Sequence, residues 1–426
     1  MIQDQQVFAQ IRSHFPALAR QLHGREVAYF DGPAGTQVPQ SVIDAIAEYL
    51  SRCNANHGGA FLTSRESDAM LDAAHQALAD FVGGEHGEEI VFGPNMTTLT
   101  FALSRALART WRPGDEIVVT QLDHDANFTP WKLAARDAGA TLRVVRVRTE
   151  DCTLDLDHLR SLINSRTRLV AVGCASNSVG TINPVAQIAA WAHEVGAIVF
   201  LDAVHYAPHA LPDVANWNCD FLACSTYKFF GPHQGAIWGR RSLWQELEAY
   251  KVRPATDTLP GKWMTGTQSH ELIAGALAAV DYLAMLGRQF ATALPPAATP
   301  SATGMNRRAA LQLAYDHIGR FEQALGDYLL EGLLKIPHVR VWGITDRSRW
   351  SERFATFSIT HARLSPAQVA EQLGEQGLFV WNGNYYALNL SETLGREPEG
   401  MVRIGLVHYN TVGEVDRLLT ALQQLS

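Results

Sequence analysis

The sequence has little material for a disulfide framework or a structural metal site. Its 426 residues include five cysteines, an odd number, and no two of them form a Cys-x-x-Cys pair. They are Cys53, Cys152, Cys174, Cys219 and Cys224. Disulfide frameworks and zinc sites need paired spacings, so we predict neither of them and no bound metal. The default interpretation is that these cysteines are small buried side chains.

Long apolar runs and blocks of like charge are also missing. The formal net charge is −8 and is not segregated along the chain, which argues against a nucleic-acid or membrane surface as the main partner. We expect no apolar stretch to reach the length that a bilayer-spanning helix needs. The first residues, MIQDQQVFAQIRSHF, lack a signal-peptide pattern. The sequence therefore predicts a cytoplasmic protein without a nucleic-acid or membrane partner.

Lysine is scarce, and one of the five lysines stands in an unusual place. Lys228, in FLACSTYKFFGPHQG, lies between a strand-like run and Phe-Phe-Gly-Pro, where a solvated amine would be out of place. A partly desolvated amine has a lower pKa and can act as a nucleophile or a base. Taken alone, a lysine that reaches back to water from a strand end is the commoner arrangement.

Asp202 ends a second apolar run, Ala-Ile-Val-Phe-Leu, and its carboxylate needs a partner there. A protonated nitrogen of a heteroaromatic cofactor is one such partner, because the carboxylate stabilises the cation and hence the electron sink. A helix-capping or salt-bridged aspartate is the alternative. Asp202 and Lys228 both follow runs typical of buried parallel strands, whose carboxyl ends open into a ligand crevice.

The order and spacing of the motifs resemble, over nearly the whole chain, the class V aminotransferase group of fold type I pyridoxal-phosphate enzymes. Within that group the chain is similar to the cysteine desulfurases and selenocysteine lyases. The matching segments are YFDGPAGTQVP, NANHGGAFLTS, GPNMTTLTFAL, QLDHDANFTPW, ASNSVGTINP, LDAVHYAPH, STYKFFGP, MTGTQ and VRIGLVHYNT. The resemblance implies an enzyme whose cofactor is pyridoxal 5′-phosphate, held by Lys228 as a Schiff base, with Asp202 at the ring nitrogen.

The length of the chain exceeds that of one ordinary core and predicts a large and a smaller domain. Apolar strand-like runs alternate with helical segments, which is the βαβ rhythm of a parallel sheet. We therefore expect an α/β fold in which residues 26–290 form the large cofactor-binding domain, with a mostly parallel sheet flanked by helices. Residues 1–25, expected to be helical, and residues 310–426 would form a smaller α+β domain. The Pro/Ala-rich residues 291–309 would connect the two.

Several residues match cofactor contacts of the family. A helix is predicted to begin at about Asn95, and backbone N–H groups at a helix start bind phosphate, although Asn95 could also be a simple N-cap. The resemblance assigns the phosphate-binding turn to Asn95, Met96 and Thr97. The other matching cofactor contacts are Asn177, Asp202, His205, Ser225, Tyr227 and Lys228. Gly266 and Thr267 match a phosphate contact from the neighbouring subunit, which implies a homodimer with shared active sites.

Matches on the substrate side imply an α-amino acid. Arg403 matches the arginine that binds the α-carboxylate, a task for which a planar guanidinium is suited. The remaining candidate substrate contacts are Ala34, His57, Asn177, Tyr385 and Tyr386. Desulfurases have two histidines where this chain has His124 and Asp125. Either His124 covers the cofactor ring, or Asp125 acts as an acid or base.

One departure from the desulfurases bears on the reaction. They carry a sulfur-accepting cysteine where this chain has Tyr386, and a phenol cannot form a persulfide. We therefore predict β-elimination by a C–S or C–Se lyase without a protein persulfide. The alternatives are a class V aminotransferase, an amino-acid epimerase or, in another class, a scaffold without turnover. A scaffold has no need of the retained Lys228.

Overall fold

The computed structural model describes residues 8, 10–293 and 304–425. Within these residues it has one large sheet, one smaller sheet and three short two-stranded pairs. Most of the expected Pro/Ala-rich connection, residues 294–303, lies outside the described part of the chain. The domain boundaries therefore stay a prediction.

The larger sheet contains seven strands in the part of the chain that the structure describes. In spatial order they are Ile90–Gly93, Gly235–Gly239, Phe221–Ser225, Ile198–Asp202, Thr167–Gly173, Glu116–Thr120 and Thr141–Val145. Gly235–Gly239 is antiparallel to both of its neighbours, whereas the other neighbouring strands are parallel. The predicted α/β fold with a mostly parallel sheet is confirmed.

Alternate residues of the strands pack into two separate apolar cores, one on each face of the larger sheet. Val199 and Leu201 join one core, whereas Phe200 between them joins the other. Strands buried on both faces have near-continuous apolar sequences, which is why these strands could be recognised in the sequence. The main helices around the sheet are Gln40–Arg52, Leu62–Val82, Met96–Ala108, Thr129–Ala138, Leu156–Leu162, Val185–His193, His270–Ala293 and Arg307–Leu334.

The strand directions place the candidate residues together. Because Gly235–Gly239 is antiparallel to both neighbours, the strand beyond it, Ile90–Gly93, has the same direction as the rest. The carboxyl ends of the other six strands therefore lie at one edge of the sheet. The candidate segments follow these ends, which is where ligands bind in open α/β sheets.

The smaller sheet is antiparallel and has four strands among the described residues. In spatial order they are Val339–Trp342, Thr356–His361, Met401–Gly405 and Trp381–Gly383. The helices after residue 360 are Pro366–Glu375, Leu388–Thr393 and Val412–Gln424. A short parallel pair joins Leu378–Phe379 to Ala28–Tyr29, and an isolated bridge joins Asp31 to Gly405. The bridge brings Asp31 beside the strand that contains Arg403.

The start of the chain differs from the helix expected up to residue 25. Phe8, Gln10 and Ile11 are helical, but from residue 12 onward the elements are two short 3-10 helices and a hairpin, namely Arg12–His14, Pro16–Ala19, Gln21–Leu22 and Arg25–Glu26. Pro16 disfavours helical backbone at the preceding residue, and Phe15 is extended with φ −108°. The expected packing on the C-terminal part is present, since Arg12 pairs with Glu414 at 2.9 Å.

One helix contradicts the expectation that no stretch could span a bilayer. By length and composition, His270–Thr292 is long and apolar enough to cross a membrane, and it is the one such helix among the described residues. The expectation was wrong because this helix is rich in alanine and leucine. Within this helix, 67% of the most apolar 18-residue stretch is buried in the protein. Ile273, Val280 and Leu283 belong to the main core. Its apolar composition is explained by this packing.

Candidate active site

A cavity of about 1100 Å³ lies at the carboxyl edge of the larger sheet. Fifteen of the predicted site residues line it, drawn from both sheets and their loops. They are Ala34, Asn95, Met96, Thr97, His124, Asp125, Asn177, Asp202, His205, Ser225, Tyr227, Lys228, Tyr385, Tyr386 and Arg403. A large concave site with convergent polar groups is the default position for small-molecule binding.

Lys228 projects into this cavity from a short 3-10 turn, Thr226–Lys228, which directly follows a strand of the larger sheet. Its Nζ donates a hydrogen bond to the Pro33 carbonyl and lies 4.8 Å from the centroid of the Tyr227 ring. The carbonyl and the ring hold the amine at the cavity wall.

The surroundings of Lys228 favour its neutral form. Burial lowers the pKa of Lys228 to about 7, and the Arg403 guanidinium adds to this effect, whereas Asp202 and Asp31 oppose it. A substantial fraction of the amine is therefore unprotonated near neutral pH. The neutral amine is the form that attacks a carbonyl carbon or accepts a proton.

Asp202 is the last residue of strand Ile198–Asp202 and is buried. Its Oδ1 accepts a hydrogen bond from the Val204 N–H at 2.9 Å. Burial raises the pKa of Asp202 to about 6, although the hydrogen bond and Lys228 favour the ionised form. A cationic group in the cavity would stabilise this carboxylate further.

Another acid in the cavity, Asp31, was not among the residues predicted from the sequence. Its Oδ1 is buried and has no hydrogen-bond partner among the described residues. Burial raises the pKa of Asp31 to about 6, and the charges of Arg403 and Lys228 oppose this shift. The signal was available, since Asp31 follows the short strand Ala28–Tyr29 and precedes a Gly-Pro turn.

Asp123, which precedes His124, also lines the cavity and was not predicted either. It accepts hydrogen bonds from the Thr120 hydroxyl at 2.5 Å and the Gly173 N–H at 2.5 Å. Burial raises the pKa of Asp123 to about 7, and the nearby Asp202 contributes to the shift. The same pattern that singled out Asp202, an acid after an apolar strand, applies to Asp123.

The predicted phosphate turn is the start of helix Met96–Ala108. Asn95 is its N-cap and accepts a hydrogen bond from the Thr98 N–H at 2.8 Å. The Met96 N–H donates to the Ser225 hydroxyl oxygen at 3.3 Å, which joins the two segments expected to contact phosphate. A Cβ at Gly235 would lie 2.4 Å from the Asn95 carbonyl carbon, so glycine lets the turn pack closely. A helix start of this kind favours an anion.

His124 and Asp125 have different surroundings. His124 Nδ1 accepts a hydrogen bond from the Ala126 N–H at 3.0 Å. Burial lowers the pKa of His124 to about 4, and Lys228 adds to the shift, so the imidazole is neutral near pH 7. Asp125 instead accepts a hydrogen bond from the Thr129 hydroxyl at 2.9 Å.

The Tyr385–Tyr386 turn at the cavity mouth has an unusual backbone. Both residues have positive φ, 56° and 60°, a region that bulky side chains rarely adopt. Two of its hydrogen bonds join the turn to the cavity wall, one from the Asn177 amide to the Tyr385 carbonyl at 2.9 Å and one from the Asp125 N–H to the Tyr386 carbonyl at 2.7 Å. The Tyr386 ring stacks on His124 with centroids 5.4 Å apart, although the residue is 72% exposed.

Arg403 lines the cavity from strand Met401–Gly405 of the smaller sheet. Its Nη1 donates a hydrogen bond to the Asn177 carbonyl at 2.8 Å, and its guanidinium lies 4.3 Å from the centroid of the Tyr385 ring. Burial lowers the pKa of Arg403 to about 10, so the side chain is charged at neutral pH. It can bind a carboxylate.

Three predicted residues do not line the cavity, namely His57, Gly266 and Thr267. The His57 ring contacts the His270 ring at a centroid distance of 5.9 Å. Gly266 and Thr267 are exposed and precede His270 by a few residues. All three therefore lie near the start of one helix, on the surface of the single chain.

The groups around the cavity fit pyridoxal 5′-phosphate by their chemistry. The helix start at Asn95, with the Ser225 hydroxyl, suits the phosphate. The Asp202 carboxylate suits a protonated ring nitrogen, and the Lys228 amine suits an aldehyde. Among the described residues, no group of three or more His, Cys, Asp or Glu side chains could hold a metal ion.

Comparison with protein families agrees with this chemistry. A sequence profile described as "Aminotransferase class-V" matches residues 28–418. The chain is 30% identical to a cysteine desulfurase of Pectobacterium atrosepticum over 430 residues, covering 97% of each protein. It is 33% identical to the aminotransferase-like protein FGM3 of Gibberella zeae over 427 residues, again covering 97% of each.

Comparison with solved structures gives a similar result. The apo structure of a cysteine desulfurase from Thermococcus onnurineus superposes with a TM-score of 0.84 at 25% identity. The match covers 98% of this chain and 97% of that one. Both sheets are therefore included in the similarity.

Proposed function

Because the chain belongs to the class V aminotransferase family, whose enzymes use pyridoxal 5′-phosphate, we propose that it is a lyase acting on an α-amino acid. In this proposal the enzyme releases a sulfur or selenium group from the β carbon. It resembles the cysteine desulfurases in its site but does not pass sulfur to a cysteine of its own.

The observation that carries the proposal is the position of the thiols. None of the five cysteines lines the cavity, and four of them, all except Cys53, are buried. Burial raises the pKa of Cys152 and of Cys224 to about 12. A buried thiol with a raised pKa is a poor sulfur acceptor, because the thiolate is the nucleophile.

By the resemblance to the desulfurases, the Tyr385–Tyr386 turn stands where they have their acceptor cysteine and would offer a phenol instead. Tyr386 extends from this turn over His124 at the cavity mouth. Its carbonyl is bonded to the Asp125 N–H, so the turn is fixed to the cavity wall. A phenol oxygen in this place cannot accept sulfur.

Lys228, Asp202 and His124 have separate roles in the proposed reaction. Lys228, with its lowered pKa, would hold the aldehyde of the cofactor and then move the proton at the substrate Cα. Asp202 would hold a proton on the ring nitrogen, and the bound cofactor supplies an electron sink for the charge at Cα. His124 would cover the ring, because it is neutral and flat while Asp125 is bonded to Thr129.

The substrate carboxylate would be bound by Arg403. The charged guanidinium lies in a largely desolvated wall, where a charge-assisted hydrogen bond is stronger than in water. Asn177 is bonded to both Arg403 and the Tyr385 carbonyl. It therefore fixes the guanidinium relative to the turn at the mouth.

The overall reaction balances without an oxidant. Elimination breaks the Cβ–S bond and removes the Cα proton, and water then replaces the amino group. For cysteine, the amino acid and one water give pyruvate, ammonia and hydrogen sulfide. A desulfurase reaction would instead leave alanine and a sulfur atom bound to a thiol.

The experiment that tests the proposal measures these products separately. The cofactor-loaded protein is incubated with cysteine or selenocysteine and no other thiol or selenol. Pyruvate, sulfide or selenide, alanine and any keto acid that retains its β substituent are quantified. We expect pyruvate and sulfide in equal amounts from cysteine. Alanine together with protein-bound sulfur would contradict the proposal.

Two lysine variants control this experiment. Lys228→Ala is expected to abolish product formation. Lys262→Ala is the matched control, because Lys262 is also anchored by backbone carbonyls, those of Trp244 and Gln245, but lies outside the cavity. Turnover equal to wild type in Lys228→Ala would favour a scaffold fold whose activity comes from a contaminant.

The name of one relative makes a transaminase the second candidate. In that reaction the cofactor would be left as an amine, and a keto acid with the side chain of the substrate would form. The same product assay separates the two, because transamination yields a keto acid that retains its β substituent and releases no sulfide.

The proposed enzyme is a homodimer with shared sites. His57, Gly266 and Thr267 cluster near the start of helix His270–Ala293, outside the cavity of their own chain. Phe61, in the same region, is a large apolar side chain that is 58% exposed. Such a surface suits contact with a second copy. Sedimentation of the loaded protein as a monomer would contradict this part of the proposal.

A further inference from the structure

Three buried titratable side chains form a line behind the catalytic cavity. His205 belongs to the cavity wall, His209 lies behind it, and Glu322 of helix Arg307–Leu334 lies behind His209. Their exposed fractions are 4%, 2% and 3%. The proposed reaction assigns no role to His209 or Glu322.

The contacts along this line are specific. His209 Nδ1 and Glu322 Oε2 are joined by a hydrogen bond of 2.7 Å. The His209 and His205 rings meet edge to face, with centroids 5.2 Å apart and an interplanar angle of 70°. Phe354 stacks on the other side of His209 at 4.9 Å, which restricts the orientation of the imidazole.

Burial determines how many protons the His209–Glu322 pair holds. A net charge on side chains as buried as these is costly, so burial favours the states of the pair whose total charge is zero. The pair then contains either a neutral acid with a neutral imidazole or a carboxylate with an imidazolium. Burial raises the pKa of Glu322, although the nearby His209 opposes the shift.

Both neutral arrangements place a proton on the same atom of His209. If Glu322 is the acid, it donates to Nδ1, and the single proton of the imidazole is on Nε2. If His209 is an imidazolium, both of its nitrogens are protonated. In either case His209 Nε2 is a donor, and it has no hydrogen-bond partner among the described residues.

The neighbouring His205 ring also has a nitrogen that lacks a hydrogen-bond partner in the described part of the chain. This atom, Nε2, is buried. The two rings are in contact, and a hydrogen bond from His209 Nε2 to His205 Nε2, direct or through one water, would satisfy both nitrogens. The His205 proton would then be on Nδ1, because its Nε2 accepts.

We propose that the His209–Glu322 pair positions His205, holding it in the neutral tautomer whose Nδ1–H donates into the catalytic cavity. His209 and Glu322 are thus positioning residues and do not touch substrate. The proposal deepens the proposed function, because a donor at this place would bind the phenolic oxygen of the cofactor. It concerns the protein alone and can be tested without cofactor.

Other charges near these groups act in the same direction. Burial lowers the pKa of His205 well below its usual value, and His209, Arg403 and Lys228 add to the shift. His205 is therefore neutral. The other ionisable groups near the pair are the Tyr315 phenol, whose pKa burial raises, and His408, whose backbone is bonded to Glu322 and whose pKa burial lowers to about 3. Neither side chain brings a charge.

The direct test is the tautomer of His205 in the full-length protein without cofactor. Nitrogen-15 NMR of protein labelled at histidine distinguishes the two neutral tautomers, and the His205→Gln variant identifies the signal by its loss. We expect a neutral His205 protonated on Nδ1. A proton on Nε2, or an imidazolium at neutral pH, would overturn the proposal.

A variant pair tests whether His209 and Glu322 are the cause. In the double variant His209→Phe with Glu322→Leu the ring contacts remain and no buried charge is left unpaired. We expect the single His205 tautomer to become a mixture. The control is His75→Phe, a buried histidine bonded to the Ile90 carbonyl and outside the cavity, which should leave the His205 signal unchanged.

The outcomes separate this proposal from the proposed function. If His205 keeps a pure Nδ1–H tautomer in the double variant, the positioning role is refuted whatever reaction the enzyme performs. If the tautomer behaves as expected but no pyruvate forms from cysteine, the lyase proposal fails and the positioning role stands.

Discussion

Replacing Arg403 with lysine tests how the substrate is bound. Arg403 is 3% exposed, donates to the Asn177 carbonyl from Nη1, and retains further N–H groups for a ligand. Lysine keeps the charge but loses the planar pair of donors. The variant should therefore bind the α-carboxylate with one hydrogen bond where the wild type makes two.

The expected effect follows from the loss of one hydrogen bond to a charged group. Such a bond contributes about 1.5–3 kcal/mol, which corresponds to a fall in kcat/KM of about 10- to 150-fold at about 1.4 kcal/mol per factor of ten. Because the contact is present in the ground state as well as the transition state, the change should be mainly a rise in KM. The assay is steady-state release of pyruvate from a β-substituted amino acid.

A matched variant, Arg353→Lys, separates the loss of substrate binding in Arg403→Lys from a general loss of stability. Arg353 is equally buried, at 3% exposure, donates to the Val179 and Thr356 carbonyls, and lies outside the catalytic cavity. Arg353→Lys should lower the melting temperature and leave KM unchanged. If Arg403→Lys raised KM no more than Arg353→Lys does, Arg403 would not bind the substrate carboxylate.

Three further predictions follow from the same geometry. Gly235→Ala, whose Cβ would lie 2.4 Å from Asn95, should weaken cofactor binding, and equal dissociation constants in a fluorescence titration would contradict this. Because the pKa of Lys228 is lowered to about 7, the fraction of neutral amine grows as pH rises through 7. The rate of cofactor loading should therefore rise up to about pH 8 and then level off, and a rate that falls over this interval would disagree. Tyr386→Cys should produce some alanine from cysteine, whereas alkylation of Cys53, the one partly exposed thiol, should leave wild-type turnover intact.

Much of the fold could be predicted from the sequence because the central strands are buried on both faces. Runs such as IVFLD and FLACS are apolar without alternation, and each ends in a polar residue that lies in the cavity. The polar residue at the end of each run therefore predicted both where the strand ends and which residues line the cavity. Residues 12–25 were wrongly expected to be helical, because Pro16 disfavours a continuous helix there.

The acids around Lys228 were harder to predict. The position of Asp31 in the cavity depends on a β-bridge to Gly405, which is far away in the sequence. The residues around Asp31 give no indication of this pairing. Asp123 follows an apolar strand as Asp202 does, but the neighbouring His124 and Asp125 offered a more obvious chemistry. The pair of His209 and Glu322 depends on packing between a loop and a distant helix, which only a structure reveals.

The central claim is that Lys228 holds pyridoxal 5′-phosphate in this cavity. The most direct measurement is reduction of the loaded protein with borohydride, followed by digestion and mass spectrometry of the peptides that contain its five lysines. We expect a pyridoxyl group on Lys228 alone. Finding that group on another lysine, or on none after saturation with cofactor, would contradict it.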